Sequence, residues 1–314
     1  MLSGEKILVT GASGTLGSMV ARALATGNEV WGLARYATPA TVELARSAGI
    51  VPMAIDLERP DFAAVPQDFT YVLHFAHTRR GADEFVESVE INAVGPGLLM
   101  QHCRKAKAAL IVSSTAVYTP PADVWHPVAE RDPIGGAFAP WAPSSPVSKV
   151  SLEATARLAA EAFGLRTVIA RLNTTYGPGR GMKGGGMPVA DLEAVVQGQP
   201  VRTFADPYPH SPIHFADMVD QIEALLDAAA VPALIVNWCG DEVVTQRQWC
   251  ELAGTWAGRV AELMVHPIPG APCGNAGDAA GRLAITGPCR RAFVPSFRAL
   301  YEAYVAELAA DRST

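Results

Sequence analysis

The chain has 314 residues, 49% of them hydrophobic and 18% charged, the composition of a globular protein with ample material for a core. Its formal net charge of −6 and pI of about 5.7 lack the basic balance of nucleic-acid binders. No apolar run reaches the roughly 18 residues that span a bilayer, so neither nucleic acid nor membrane is expected as a partner.

From the N-terminus, "KILVT" is a short β-branched run that enters a glycine turn. The opening "MLSGEKILVTGAS" therefore reads as a first strand and not as a signal peptide. "GSMVARALATG" has helical spacing and ends at Gly27. "EVWGLAR" is a second strand, "ATVELARSAG" a helix and "VPMAID" a third strand. "YVLHFA" is a fourth strand, and "DEFVESVEINAVGPGLLMQHCRKA" is helical in spite of Pro96. The strand "ALIVSST", the helix "SKVSLEATARLAAEAFG" and the strand "RTVIARLN" complete the series. Strands alternating with helices predict βαβ units, hence a doubly wound parallel α/β sheet with helices on both faces.

After Asn173 the texture changes. "TTYGPGRGMKGGGMP" is a Gly- and Pro-rich loop and "VADLEAVVQG" a helix. "SPIHFADMVDQIEALLDAA" is a strand end running into a helix capped around Asp217, and "ALIVNWCG" is a further core strand. "SFRALYEAYVAELAA" is an amphipathic helix. The five cysteines, Cys103, Cys239, Cys250, Cys273 and Cys289, are odd in number and include no CxxC pair. They read as small buried hydrophobes in a reduced, cytoplasmic compartment.

"VTGASGTLGSMV" sets Gly11, Gly14 and Gly17 between a strand and a helix. Glycines there let backbone N–H groups close on a pyrophosphate, and the helix N-terminus adds partial positive charge. The turn predicts a bound dinucleotide. An acidic residue at the end of the second strand would bond the ribose 2′-OH and select NAD. This chain has Ala34 and then Arg35, which leave room for a 2′-phosphate and offer it a guanidinium. NADP is the expected cofactor, with NAD the alternative if Arg35 is only a solvated surface residue. No metal is expected: His210 and His214 are four apart, but Pro212 between them denies a helical pair.

With these residues in hand the chain resembles an extended short-chain dehydrogenase/reductase of the NAD(P)-dependent epimerase/dehydratase type, nearly end to end. "TGASGTLG" resembles that family's cofactor turn, over Gly11, Ser13, Gly14, Thr15, Leu16 and Gly17. "AIDLERP" resembles its adenine-side pair, here Asp56 and Leu57. "LHFAHTRR" resembles its cofactor-lining segment, here Phe75, Ala76 and His77. Asn92 matches a helix Asn that braces the active-site strand, and "VSSTAVY" places Ser114 in the catalytic Ser/Thr position. "RLNTTYGPG" sets Leu172 and Asn173 near the nicotinamide, and "SPIHFADMVDQI" and "VNWCG" match C-terminal segments. The resemblance implies a Rossmann-type dinucleotide-binding domain over 1–173, with returning segments near 201–240. It implies a smaller substrate-binding lobe over 174–200 and 241–314, a small-molecule substrate, and a homodimer through helices near 83–107 and 148–163.

In that family a Tyr stands four residues before the active-site Lys, so that both share a helix face. The ammonium lowers the phenol's pKa and bonds the nicotinamide ribose, and the Tyr moves a proton as hydride moves. Here "SSPVSK" keeps Lys149 but has Ser145 where the Tyr belongs, and no Tyr lies between Tyr118 and Tyr176. Ser145 itself, through a water or a relay, or a group from another segment must then handle the proton. His77 and Tyr176 lead the candidates, with Tyr118, Tyr208 and His126 behind them. A second departure is "PHSPIH": His210 and Ser211 stand where nucleotide-sugar enzymes often carry an Arg–Asp pair whose Arg grips phosphate. Arg180 and Lys183 in "GRGMKGGG" are either contacts for an anionic substrate or solvated loop charges.

The resulting expectation is an NADP-dependent oxidoreductase or epimerase-like enzyme acting on a small hydroxyl or carbonyl substrate through an atypical proton donor. The alternatives are a non-redox lyase or dehydratase using the same pocket, and a cofactor-binding protein without catalysis.

Overall fold

β1 (Lys6–Thr10) leads into α1 (Thr15–Ala25), followed by β2 (Glu29–Ala34), α2 (Pro39–Ser47), β3 (Ile50–Ala54) and β4 (Tyr71–His74) in this computed structural model. It describes residues 2–136, 143–178, 186–269, 271 and 273–311. A 3-10 turn at Ala82–Glu84 opens α3 (Phe85–Val89), which passes through a π segment, Glu90–Val94, into α4 (Gly95–His102). Pro96 follows directly on the π segment, at the first turn of α4, and the helical path continues through it as expected. β5 (Ala108–Ser114), α5 (Ser144–Phe163) and β6 (Thr167–Leu172) follow.

The second half contains β7 (Thr175–Tyr176), α6 (Met187–Val196), β8 (Val201–Thr203), β9 (Pro209–His210), β10 (Ile213–His214) and α7 (Phe215–Ala228). Then come β11 (Leu234–Trp238), β12 (Val244–Thr245), α8 (Gln246–Ala257), β13 (Leu263–Val265), α9 (Ala280–Thr286) and α10 (Phe293–Asp311).

The central sheet has seven parallel strands in the order β11-β6-β5-β4-β1-β2-β3. Alternation along each strand sends side chains to two faces. Ile7, Val9, Leu110 and Val168 meet α1 and α7 through Val20, Leu24, Ile222 and Leu225. Leu8, Val72, Ile111 and Ile169 meet α4 and α5 through Leu99, Met100, Leu152 and Ala156. Each fully buried side chain of this kind contributes about 1.5–3 kcal/mol. The order reverses between β1 and β4, and the crevice outside their carboxyl ends is where such sheets bind ligands.

A separate core of Tyr176, Leu192, Trp249, Phe293 and Phe297 lies among α6, α8 and α10. Within 201–240, α7 packs on the sheet and β11 pairs with β6, while β8 pairs with β13. The cap of α7 is corrected: His214 Nδ1 accepts from the Ala216 amide at 3.1 Å. Asp217 sits in the first turn and accepts from Arg290 N and Arg291 Nη1.

Candidate active site

At the end of β1 the chain turns with Gly11 at φ +70°, and a Cβ there would come within 2.9 Å of Ala76 N. A Cβ on Gly17 would run into the Gly11 carbonyl oxygen. Gly14 is the N-cap of α1 and brings no side chain to it, so the first-turn N–H groups stay open. Thr10 fastens the facing strand. Its Oγ1 accepts from Phe75 N at 3.2 Å and Ala76 N at 3.1 Å, so its single proton goes to His74 Nδ1, 2.9 Å away. A groove of about 170 Å³ runs on from this turn past Ser13, Ala34, Arg35, Asp56 and Leu57. The glycine cradle, the open helix N-terminus and the exposed Arg35 guanidinium at the groove's rim fit a dinucleotide phosphate chain.

The groove meets a cavity of about 400 Å³ at His77. Leu16, Phe75, His77, Ser114, Ser145, Lys149, Leu172 and Asn173 all line this cavity, so the structure brings these sequence-predicted residues together. Ser145 and Lys149 lie one turn apart near the start of α5. Lys149 Nζ donates to the Val112 carbonyl at 2.7 Å. Burial pulls its pKa down to about 7, against the opposing pull of Glu153 one turn further on. Ser114 Oγ accepts from Ala116 N at 3.1 Å and so caps the turn after β5.

His77 Nε2 lies 2.9 Å from Ser145 Oγ. Burial above all, and then the charges of Lys149 and Arg79, push the His77 imidazole down to about 2, so it is neutral. Its Nδ1 is buried and has no hydrogen-bond partner among the described residues. Asn92 Oδ1 accepts from Thr78 N at 2.8 Å, and its Nδ2 donates to Thr78 O and Ser148 Oγ. Asn92 therefore braces the loop after β4 against α5, not the active-site strand itself.

The other expected proton donors are buried, engaged by other groups or outside the cavity. Tyr176 is corrected: it does not line the cavity but packs in the lobe core, edge-on to His214 and tilted against Phe293, and burial raises its phenol pKa. Tyr118 shows its ring to the cavity but donates its hydroxyl to Asn237 Oδ1 at 2.6 Å. Tyr208 lines the cavity, but burial pushes its phenol up to about 12; His126 does not line it and pairs with Asp132 Oδ2 at 2.7 Å. Asn173 acts as a brace: its Nδ2 donates to Thr115 Oγ1 and Asn275 O, and its Oδ1 accepts from Ser211 N. Arg180 and Lys183 lie outside the described residues.

Sequence reasoning missed the buried Glu153–Arg171 pair. Arg171 Nε and Nη2 donate to the two carboxylate oxygens at 2.9 and 2.7 Å, and Ser113 Oγ donates to Oε1 at 2.6 Å. The available signal was a Glu four residues after Lys149 on a helix face that packs on the sheet. Thr10 and Arg79 were also missed, and no spacing rule singles them out.

A parallel sheet in the 3-2-1-4-5-6 strand order, a glycine turn and a Ser/Lys cavity at the strand ends define a Rossmann-type dinucleotide-binding protein. The model of the NAD dependent epimerase/dehydratase family matches residues 7–237, and the chain belongs to that family, whose members are enzymes. Among solved structures it is similar to UDP-glucuronic acid 4-epimerase from Bacillus cereus in complex with UDP-glucuronic acid and NAD. That match has 22% identity over 96% of this chain and 99% of the other, with a TM-score of 0.79. UDP-N-acetylglucosamine 4-epimerase from Methanobrevibacter ruminantium is similar at 17% identity over 98% and 100% of the two chains, with a TM-score of 0.81. UDP-glucose 4-epimerase from Thermus thermophilus in complex with NAD is similar at 22% identity over 96% and 99%, with a TM-score of 0.76. At these identities the structural likeness shows the fold. A search of curated proteins found no match. No helix among the described residues is long and apolar enough to cross a membrane.

Proposed function

We propose that the protein is an NADP-dependent oxidoreductase or epimerase-like enzyme for a small hydroxyl or carbonyl substrate, with Ser145 and His77 together in the role of the missing tyrosine. The observation that carries this reading is the 2.9 Å contact between His77 Nε2 and Ser145 Oγ in the cavity that Ser114 and Lys149 also line. The similar structures from Bacillus cereus and Thermus thermophilus hold NAD; the succession Ala34–Arg35 at the groove supports the 2′-phosphorylated form for this chain.

When bound, the nicotinamide supplies or accepts the hydride. Ser114 bonds the substrate oxygen. Ser145 passes a proton to that oxygen and regains one from Lys149, or the reverse in the other direction, while neutral His77, donating from Nε2, keeps the serine hydroxyl oriented. Lys149, with a pKa of about 7, is the group in reach whose proton is exchanged readily near neutral pH. Exposed apolar side chains on α3 to α5, among them Phe85, Val86, Leu98 and Leu158, support the homodimer expected through these helices. A cytoplasmic location completes the proposal.

The test is absorbance at 340 nm with NADPH and a panel of small ketones, and with NADP+ and the matching alcohols. Turnover of a substrate without any change at 340 nm would favour a lyase, a dehydratase or an epimerase cycle over net redox.

A further inference from the structure

Glu153 and Arg171 form an ion pair closed to solvent, with 3% and 2% of the residues exposed. Both carboxylate oxygens are occupied. Oε1 accepts from Arg171 Nε at 2.9 Å and from Ser113 Oγ at 2.6 Å, and Oε2 accepts from Arg171 Nη2 at 2.7 Å. The guanidinium is held in turn: Nη1 donates to the Glu130 carbonyl at 3.1 Å, and the Tyr118 ring centroid lies 4.7 Å from Cζ. Charge-assisted bonds on both oxygens fix the carboxylate in place. For stability alone such a pair does little, since apolar side chains of similar volume often serve as well. Its place in the fold gives it another use. Ser113 precedes Ser114 on β5, and Arg171 precedes Leu172 on β6. Glu153 follows Lys149 by four residues on α5, and both are buried, so they share the helix face that packs on the sheet. The clamp thus joins the three elements that deliver these site residues.

Lys149 Nζ donates to the Val112 carbonyl, a neutral partner that leaves the ammonium's charge to be balanced by others. The titratable groups around it come from β4, the loop after β4, β6 and its own helix. His74 on β4 and His77 in the loop are neutral, pushed down to about 3 and about 2 by burial first and then by Lys149. Arg79 in that loop is a cation and works against the ammonium. Arg171 on β6 is a cation already paired with Glu153. β5 brings Ser113 and Ser114, and the π segment brings Asn92, which reaches α5 at Ser148; none of these is charged. Among the described residues, Glu153 is therefore the carboxylate whose charge favours protonated Lys149.

We infer that Glu153, clamped by Arg171 and Ser113, is the counter-ion of Lys149 and a positioning residue for the reaction: its fixed negative charge, one helical turn away, keeps the lysine protonated near neutral pH. The inference rests on the proposed function only for the use of that proton, which is its return to Ser145.

The experiment is an NMR pH titration of the full chain carrying lysine labelled with carbon-13 at Cε. The Lys149 signal is the one lost in Lys149→Arg. Glu153→Gln should lower the apparent pKa of Lys149 by about one unit or more, the effect of removing an opposite charge a few ångströms away. Ser113→Ala keeps both charges and should leave the value near native. An unchanged or raised value in Glu153→Gln overturns the inference, and so does a shift in Ser113→Ala as large as that in Glu153→Gln. If Glu153→Gln does not fold, Glu153→Gln with Arg171→Met leaves no uncompensated charge buried. Lys149 should still titrate below its native value there, because of the two charges that of Glu153 is the one acting on it. A value at or above native overturns the inference. Rates then separate a charge effect from a loosened site. Ketone reduction with NADPH needs protonated Lys149, and alcohol oxidation with NADP+ needs the neutral form. In Glu153→Gln the pH at which reduction fails and the pH at which oxidation sets in should therefore move down together. A merely structural role would lower both rates at every pH and move neither. A lowered lysine pKa with unmoved rate profiles contradicts the proposed use of Lys149 and leaves the counter-ion standing. An unmoved lysine pKa does the reverse.

Discussion

His77 Nε2 and Ser145 Oγ are 2.9 Å apart although 68 residues separate them in the chain. One comes from the loop after β4 and the other from the first turn of α5, two elements tied by Asn92 through Thr78 and Ser148. The imidazole is thus set against Ser145, which under the proposed function takes the tyrosine's place. Neither member alone is a good acid: a serine hydroxyl titrates far too high, and His77 is pushed down to about 2. Their value lies in the hydrogen bond, which orients the serine hydroxyl beside Lys149.

If the two act as a unit, their removal is not additive. Ser145→Ala and His77→Ala should each lower kcat by roughly 10²-fold, the lower end of general acid–base effects, with KM little changed. The double variant should be hardly worse than either single one. Steady-state kinetics on all three decides it. Losses that multiply in the double variant would mean that the two residues act separately.

Lys149 gives a prediction in which function and stability have opposite signs. Lys149→Met should abolish turnover and weaken cofactor binding. It should also raise stability by about 1–3 kcal/mol, the scale of burying a polar group at a cost. The gain depends on pH. The folded-state pKa of about 7 lies below the ordinary lysine value of 10.5, so between these limits the unfolded chain binds more protons and native stability rises with pH. The advantage of the variant is therefore largest at or below pH 7 and shrinks toward pH 10. Urea titrations of both proteins at pH 6.5 and 9 check this. A constant difference would mean that Lys149 is not strongly desolvated.

Arg35 tests cofactor choice. Arg35→Ala should weaken NADP(H) by about 1–3 kcal/mol, the scale of hydrogen bonds to a charged group, and leave NAD(H) nearly unchanged. Fluorescence titration of both cofactors measures it. Equal affinities in the native protein would remove the case for NADP.

The main sheet was readable because each of its strands is a short apolar run between turn signals, and β11 was found for the same reason. The two- and three-residue strands β7, β8, β9, β10, β12 and β13 were mostly not, since pairs such as Val244–Thr245 carry no period. α8 escaped because its mixed polar face opens with a Thr245/Gln248 capping box that follows almost directly on β12. At the site, residues carried by a motif came to line the groove and the cavity: Gly11 the one, Ser114 and Lys149 the other. Tyr176 did not, because a residue's place along the chain after β6 says nothing about which way its ring turns. Here it turns into the lobe core, toward Phe293.

Tyr176 consequently serves as a control. Tyr176→Phe removes a buried hydroxyl of the lobe core, near Ser296, not a group in the cavity. It should cost about 0.5–1.5 kcal/mol of stability and leave kcat within about twofold of native. A large fall in kcat with an unchanged melting temperature would return Tyr176 to the list of proton donors.

Restoring the tyrosine is the sharpest test of what fills its place. A phenol at position 145 would need the space beside Lys149, and the His77 ring already reaches within hydrogen-bonding distance of the side chain there. Ser145→Tyr alone should therefore overpack the site, lower stability by about 1–3 kcal/mol and fail to raise ketone reduction. Ser145→Tyr with His77→Ala removes the obstructing ring. The new phenol then lies one helical turn from a buried lysine whose charge favours its ionised form. That double variant should regain most of the lost stability and reduce simple ketones with NADPH faster than the native protein does. Melting temperature and absorbance at 340 nm, measured on the native protein, Ser145→Tyr and the double variant, give the comparison. If Ser145→Tyr alone is as stable as the native protein and already the better reductase, His77 does not occupy the phenol's volume, and its partnership with Ser145 cannot be what replaced the tyrosine.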